Sequence, residues 1–137
     1  MPKWLVVAVS GIPRNTKIMN RTIKFRGKTT DTNEWIYGYL MGKDIIGDFM
    51  NHDFVKPETI SQFSGSKDKN GIDIYENDIC NAGYFKLHIV DFWRNGFYFK
   101  CSNFDSHHSF ETAKHTFEVI GNVFDNKELI ANRGGCH

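Results

Sequence analysis

Histidine and cysteine are the side chains of this sequence best suited to bind transition metals and to act in nucleophilic catalysis. The chain of 137 residues contains six His and three Cys. Cys101 is followed by His107, His108 and His115, and this C-x5-HH-x6-H spacing differs from the short paired spacings of zinc sites. The Ser, Asn and Asp residues around the histidines are typical of a solvated loop. The sequence therefore predicts no metal site and no cofactor.

Catalysis would need either a nucleophile beside a base or a pair of carboxylates. Cys101, His115 and Glu118 are a conceivable nucleophilic set, but no nucleophile-elbow motif accompanies them. Carboxylates at alternating strand positions form a solvated outer face more often than an acid–base pair. The carboxylates in question are Asp73, Glu76 and Asp78. We therefore predict a protein that is not an enzyme.

A basic strand with aromatic neighbours makes a better case for nucleic-acid binding. Strand alternation places three basic side chains on one face, and tyrosines nearby could stack on bases. This candidate binding surface consists of Lys24, Arg26, Lys28, Tyr37 and Tyr39. From residue 19 onward, however, the chain has 14 Lys/Arg against 16 Asp/Glu, so its net charge does not attract DNA from a distance. Nucleic-acid binding is therefore the alternative function rather than the leading one.

The opening of the chain differs from the rest in charge. Residues 1–28 hold seven Lys/Arg and no Asp/Glu, which is typical of an arm that pairs with an acidic body of its own or of a neighbouring copy. The apolar run Trp4–Val9 is too short to span a bilayer, so no membrane association is expected. Residues 1–18 are either an additional strand or, as we favour, an extension upstream of a natural start at Met19. Residues 19–137 are then a single domain.

The three cysteines, Cys80, Cys101 and Cys136, are odd in number and widely spaced. None belongs to a C-x-x-C motif, so a disulfide framework is not expected. This pattern is typical of a reducing compartment, and we expect a cytoplasmic protein.

Strands must position these side chains, because 15% of the residues are aromatic and aromatic residues favour β structure. Alternating apolar residues predict strands from Ile23 onward and at Trp35–Met41, Ile72–Ile79, Leu87–Trp93, Phe97–Cys101 and Phe117–Phe124. Asn70-Gly71 and Arg94-Asn95-Gly96 contain residues that tolerate the positive φ of tight hairpin turns. Asp125 and Glu128 form a capping-box pattern for a short final helix. Six or seven strands and one helix predict a mainly β fold, either a small barrel or two packed antiparallel sheets.

Two motifs in the second half of the domain are distinctive. Residues 62–79 read QFSGSKDKNGIDIYENDI, and residues 117–126 read FEVIGNVFDN. They resemble the QYTGLKDKNGKEIYEGDI signature and the EVIGNIYEN segment of the YopX family, small proteins of phages and prophages. The IKFR and WIYG segments at residues 23–26 and 35–38 also fit that family, so the similarity runs from Met19 to Ile130. Asn77 stands where the family usually has Gly.

The resemblance implies a mainly β fold with an SH3-like barrel element and a phage or prophage origin, but no activity and no catalytic residue. The motif residues are interpreted as fold determinants, with glycines for turns and Asp78 as an acceptor for backbone amides. They are Gly65, Asn70, Gly71, Tyr75, Asp78, Gly121 and Asn122. The leading hypothesis is an accessory protein that acts in the bacterial host by binding another protein, from phage or host, or a second copy of itself.

Overall fold

The computed structural model describes residues 21–82, 87–101, 107–110 and 116–131. The basic segment 1–18, with its two interpretations, lies outside the described residues, as do His115 and Cys136.

The described strands form two antiparallel sheets. The first sheet has the order β4-β3-β2-β1-β5-β6 and the second the order β10-β9-β8-β7-β11. The strands of the first sheet are β1 Phe25–Lys28, β2 Trp35–Gly42, β3 Ile45–Gly47, β4 His52–Phe54, β5 Ser61–Lys67 and β6 Asp73–Tyr75. Those of the second are β7 Asp78–Asn81, β8 Leu87–Trp93, β9 Gly96–Cys101, β10 His107–His108 and β11 Glu118–Asn122. A 3-10 turn covers Pro57–Thr59, and the helix α1 covers Lys127–Ala131.

The predicted fold class is confirmed in its two-sheet form. The strands are mainly antiparallel neighbours in sequence, and a short helix follows the last of them. The barrel alternative is wrong for the described part of the chain, because both sheets stay open at their edges. The described residues contain more strands than the six or seven predicted, since several have only two or three residues and carry too little periodicity to detect.

The predicted strand Ile72–Ile79 is in fact two strands in different sheets. The first sheet ends with Tyr75, and the second begins at Asp78. Asn77 lies between them at φ +71°, the left-handed conformation that glycine adopts without strain. Its amide donates to the Val90 carbonyl at 2.8 Å. This turn explains why a YopX-like sequence favours Gly at position 77, and it passes the chain from one sheet to the other.

Both predicted hairpins exist, and Gly71 takes the expected positive φ, but in the other turn the positive φ falls on Arg94 instead of Asn95 and Gly96. In the loop between β5 and β6, Gly71 has φ +81°, while Asn70 keeps a negative φ. In the loop between β8 and β9, Arg94 has φ +58°, and Trp93 pairs directly with Gly96. Each turn therefore uses one left-handed residue rather than the two of a type I′ turn.

The core between the sheets is rich in aromatic rings, as the composition predicts. Phe99 is fully buried and stacks on Phe117 with ring centroids 3.7 Å apart and on Phe110 at 4.1 Å. Ile74 of the first sheet packs into the same cluster with Val90 of the second. Apolar burial across this interface is the main term that holds the two sheets together.

Candidate functional site

The three predicted basic residues are all held in ion pairs within the molecule. Lys24 Nζ lies 2.7 Å from Asp73 Oδ2, and Arg26 Nη2 lies 2.7 Å from Asp78 Oδ1. Lys28 pairs with the Asp125 carboxylate. Each positive charge is therefore matched by an acid from a distant part of the chain, which leaves the strand face close to neutral.

Arg26 and Asp78 form the buried centre of this face. The guanidinium lies between two rings, 4.6 Å from the centroid of Trp35 and 4.8 Å from that of Tyr75. The second oxygen of Asp78 accepts a hydrogen bond of 2.7 Å from the Tyr75 amide. Burial raises the pKa of Asp78, and Arg26 and the Tyr75 amide offset part of that rise. The pair joins β1 to the corner at which the chain changes sheets.

Lys28 belongs to a second group that fixes the end of the domain. The Asp125 carboxylate accepts hydrogen bonds from Lys28, from Trp35 Nε1 at 2.8 Å and from Asn122 Nδ2 at 3.1 Å. Burial raises the pKa of Asp125, but these donors outweigh it and lower the pKa to about 2. The predicted capping-box role of Asp125 is wrong, since its side chain bonds to β1 and β2 rather than serving the start of α1.

A cleft of about 380 Å³ opens beside the Arg26–Asp78 pair. It is lined by Lys24, Arg26, Tyr37, Ile72, Asp73, Tyr75, Asp78 and Val119. Burial raises the pKa of Tyr75 to about 12, so its hydroxyl stays protonated. Burial also raises the pKa of Asp73, but hydrogen bonds from Lys24 and Lys67 lower it on balance. The carboxylates of the cleft are thus engaged with cations, which suits a structural role better than proton transfer.

The two family-like motifs contact each other through Asp68, a buried carboxylate. Asp68 Oδ1 accepts from the amides of Asn70 at 2.8 Å and Ile72 at 2.9 Å, which shapes the loop before β6. Its Oδ2 accepts from the Val119 amide of β11 at 2.9 Å. The loop between β5 and β6 is therefore tied to the last strand of the other sheet.

Other motif residues have local structural contacts. Asn122 Oδ1 accepts from the amides of Phe124 at 3.0 Å and Asp125 at 2.9 Å. A Cβ on Gly121 would overlap Asn126 Oδ1, which accepts from the Asn122 amide. Gly65 has φ +89° with open space around it. These contacts therefore stabilise turns.

The most exposed apolar side chains lie on the two consecutive hairpins formed by β2, β3 and β4. Phe49 and Met50 form the tip of the turn between β3 and β4, with exposed fractions of 88% and 80%. Asp48 Oδ1 holds this turn by accepting from the amides of Met50 at 2.9 Å and Asn51 at 2.8 Å. Strand register places Tyr39 and Phe54 on one face of these strands, and both are exposed. We call Tyr39, Phe49, Met50 and Phe54 the apolar hairpin surface.

The histidines considered as metal ligands separate into two environments. His107 stacks on Trp93 with centroids 4.1 Å apart, and its Nε2 lies 3.1 Å from Asp91 Oδ2. His108 instead faces His88 and Cys101. Cys101 is disulfide-bonded, contrary to the expectation of reduced cysteines, whereas Cys80 is a free, buried thiol whose pKa is raised by burial.

Comparison with known proteins decides the family. The family model described as YopX protein matches residues 22–131, which include both motifs and all of the described strands. The chain belongs to the YopX family. This YopX protein also resembles the crystal structure of protein EF1440 from Enterococcus faecalis, at 22% identity and a TM-score of 0.55. That similarity covers 81% of the YopX chain and 99% of EF1440, and it concerns the fold alone. No curated protein matches the chain.

Three residues of this YopX protein have roles that the sequence patterns did not predict: Asp48, Asp68 and His88. The roles of Asp48 and Asp68 could have been inferred from the sequence. An Asp side chain at the start of a turn commonly accepts a hydrogen bond from the backbone amide two residues further along the chain. His88 was not detectable, since it is an isolated histidine within an apolar strand. Within the described residues, no helix is both long and apolar enough to cross a bilayer.

Proposed function

We propose that this YopX protein is a non-enzymatic accessory protein of a phage or prophage that binds a protein partner in the cytoplasm of the bacterial host. The observation that carries the proposal is the apolar hairpin surface. Phe49 and Met50 are more than three-quarters exposed at the tip of a turn whose Met50 and Asn51 amides donate hydrogen bonds to Asp48. Exposed apolar side chains on a rigid support are typical of protein contact sites.

The charges around this surface favour a partner of opposite sign. Asp44, Asp48 and Asp53 lie on the same hairpin, with Lys43 as its one Lys or Arg. Within the described residues none of the three acids forms an ion pair, so this hairpin keeps a negative net charge. The fitting partner is a protein with an apolar pocket bordered by Lys or Arg, because opposite charges steer association and like charges oppose it.

The negative charge of this hairpin also disfavours a second copy of the chain as the partner. A two-fold interface would place each acidic hairpin against its own equivalent, since isologous contacts use the same patch twice. Nucleic acid is disfavoured for the same reason, and the candidate basic surface offers little compensation. Its three cations are paired with Asp73, Asp78 and Asp125, and phosphate binding depends on cations that are free to replace counterions.

The test compares the wild-type chain with a tip variant and a matched control. The tip variant is Phe49→Ser with Met50→Ser, and the control is Ile72→Ser with Phe92→Ser, which removes two other exposed apolar side chains. Each immobilised protein is incubated with host lysate, and the retained proteins are quantified by mass spectrometry. A partner retained by wild type and control but lost by the tip variant is then purified for titration.

With the purified partner, the tip variant should bind about thirtyfold more weakly, the scale of an interface hot spot. Added salt should weaken binding as well. The proposal is overturned if the tip variant retains the same proteins as wild type, or if the control variant loses them. Sedimentation should show a monomer, and a gel-shift assay at low salt should show no retarded DNA. A dimer that the tip variant dissociates, or DNA retardation that high salt removes, would replace the proposed partner.

A further inference from the structure

We propose that the reduced protein binds one divalent transition-metal ion, of which zinc is the best fit, through His88, Cys101 and His108. The three side chains come from β8, β9 and β10, and their donor atoms all lie within 4.8 Å of one another. This site is separate from the apolar hairpin surface, which belongs to the other sheet. It also reverses the prediction from sequence that no metal site is present.

Strand register brings the three ligands to one face of the second sheet. His88 pairs directly with Cys101, so their side chains project from the same face. His108 pairs with Phe99, two residues before Cys101 on β9, and so lies diagonally beside it. His88 and His108 meet with ring centroids 5.4 Å apart. The arrangement depends on the pairing of three strands, and this pairing cannot be inferred from the spacing of residues within one segment of the sequence.

The donor set and its spacing suit zinc. Two imidazoles and one thiolate are ligands that zinc prefers, and tetrahedral bond lengths place neighbouring donor atoms about 3.3 to 3.6 Å apart. Donors already within 4.8 Å need only small side-chain rotations to reach that spacing. The fourth position is left to a water molecule.

The surroundings hold two ligands in place and leave a path for the ion. His88 and Cys101 are buried, with exposed fractions of 5% and 1%. The His88 ring packs edge-on against Phe117, with centroids 5.2 Å apart, and against Phe99 at 6.3 Å. His108 is exposed and opens the site to solvent. A fixed, mostly dry pair of ligands with one exposed ligand allows an ion to enter without opening of the core.

The oxidation state of Cys101 decides whether the site can form. Cys101 is disulfide-bonded in this structure, and a disulfide sulfur does not act as a thiolate ligand. Two thiols can supply two electrons and two protons to the disulfide and become a disulfide themselves. A phosphine supplies the two electrons and becomes its oxide, while water supplies the oxygen and the two protons. The released Cys101 thiol then loses its proton as the metal–sulfur bond forms. In a cytoplasm that keeps thiols reduced, the metal-binding form is the expected one.

The test uses the full tag-free chain, freed of metal by a chelator and reduced with a phosphine under anaerobic conditions. Co²⁺ is titrated first, because tetrahedral cobalt absorbs visible light and a cobalt–thiolate bond adds a near-ultraviolet charge-transfer band. Zn²⁺ is then used to displace it. We expect one equivalent of metal, a thiolate band, and a higher unfolding temperature with metal.

Variants assign the ligands. Cys101→Ser should lose the thiolate band, and His108→Ala should weaken binding by more than about tenfold, since even outer-shell changes reach that size. His107→Ala is the matched control, because it removes the adjacent histidine that stacks on Trp93 instead. His108 is exposed, so its variant should fold even if a His88→Gln variant does not.

Three results would overturn the proposal. The first is a reduced wild-type protein that binds cobalt without a thiolate band or does not bind it. The second is equal affinity in His108→Ala and His107→Ala. The third is equal affinity in the reduced and oxidised wild-type proteins, because the proposed site requires the free Cys101 thiolate.

Discussion

Asp68 Oδ2 accepts a hydrogen bond of 2.9 Å from the backbone amide of Val119, 51 residues further along the chain. The same carboxylate accepts from Asn70 and Ile72 in its own loop. One buried side chain thus organises the loop of the first motif and fastens it to the strand of the second. The two segments that define the YopX resemblance are parts of one structural unit.

Replacement of Asp68 should therefore destabilise the whole domain. Asp68→Ala leaves three backbone amides without their acceptor, and we expect a loss of about 2 to 4 kcal/mol in the free energy of unfolding. Asp68→Asn keeps one acceptor oxygen and should lose less. Urea denaturation measures both, with Asp53→Asn as the control at an exposed aspartate. An Asp68→Ala protein as stable as that control would contradict the structural role.

The Arg26–Asp78 pair should show strong energetic coupling. Arg26→Met leaves the Asp78 carboxylate buried without its cation, which typically costs about 3 to 5 kcal/mol. Adding Asp78→Asn removes the uncompensated charge, so the double variant should be more stable than the two single losses together predict. Chemical denaturation of the four proteins in this cycle gives the coupling energy. Simple additivity would mean that the pair does not stabilise the corner between the sheets.

Asp78→Ala extends the same test to the turn. The Asp78 carboxylate also accepts from the Tyr75 amide, so its removal should lower the unfolding temperature. Capture of a partner should fall in proportion to the folded fraction. If both the unfolding temperature and capture are unchanged, Asp78 has no role as an acceptor in this turn.

Gly47 should be required for the apolar hairpin surface. It has φ +151°, and a Cβ at this position would overlap the Asn51 carbonyl oxygen within the turn. Gly47→Ala should cost about 1 to 3 kcal/mol, the usual scale of overpacking. Gly42→Ala is the control in the same hairpin, because a Cβ there meets only ordinary contact with Ile45. Thermal unfolding should separate the two variants, and equal stability would contradict the close approach at Gly47.

Protonation of Asp125 at acid pH should lower the stability of the folded protein. Its pKa of about 2 in the folded protein lies below the ordinary 3.8, so folding favours the ionised carboxylate. This contribution is fully present above pH 3.8 and is lost as the pH falls toward 2. Asp125→Asn should flatten the fall in unfolding temperature over that range, whereas the exposed-turn variant Asp31→Asn should follow wild type. An unchanged pH profile for Asp125→Asn would exclude this carboxylate as the cause.

Much of the second sheet could be predicted from sequence, because its signals are local. Leu87–Trp93 is strongly apolar, and the Arg94-Asn95-Gly96 turn follows at once, so the predicted hairpin agrees with the structure. The two-residue strand β10 was not predicted, because two histidines in a polar segment show no hydrophobic periodicity. The prediction of a single strand over Ile72–Ile79 was wrong because the strand is interrupted at Asn77, which has a left-handed conformation. An Asn residue occurs in many types of turn, so its presence alone does not predict this one.

The sequence by itself determined the β class, most strand positions and membership of a family, because pleat alternation, turn residues and short motifs are properties of neighbouring residues. Only the tertiary structure decided that the cations of β1 are neutralised by Asp73, Asp78 and Asp125, and that His88 meets Cys101 and His108. These outcomes arise from the crossing between sheets and from pairing of separate strands. Such pairings join residues far apart in the chain, and local spacing holds no record of them.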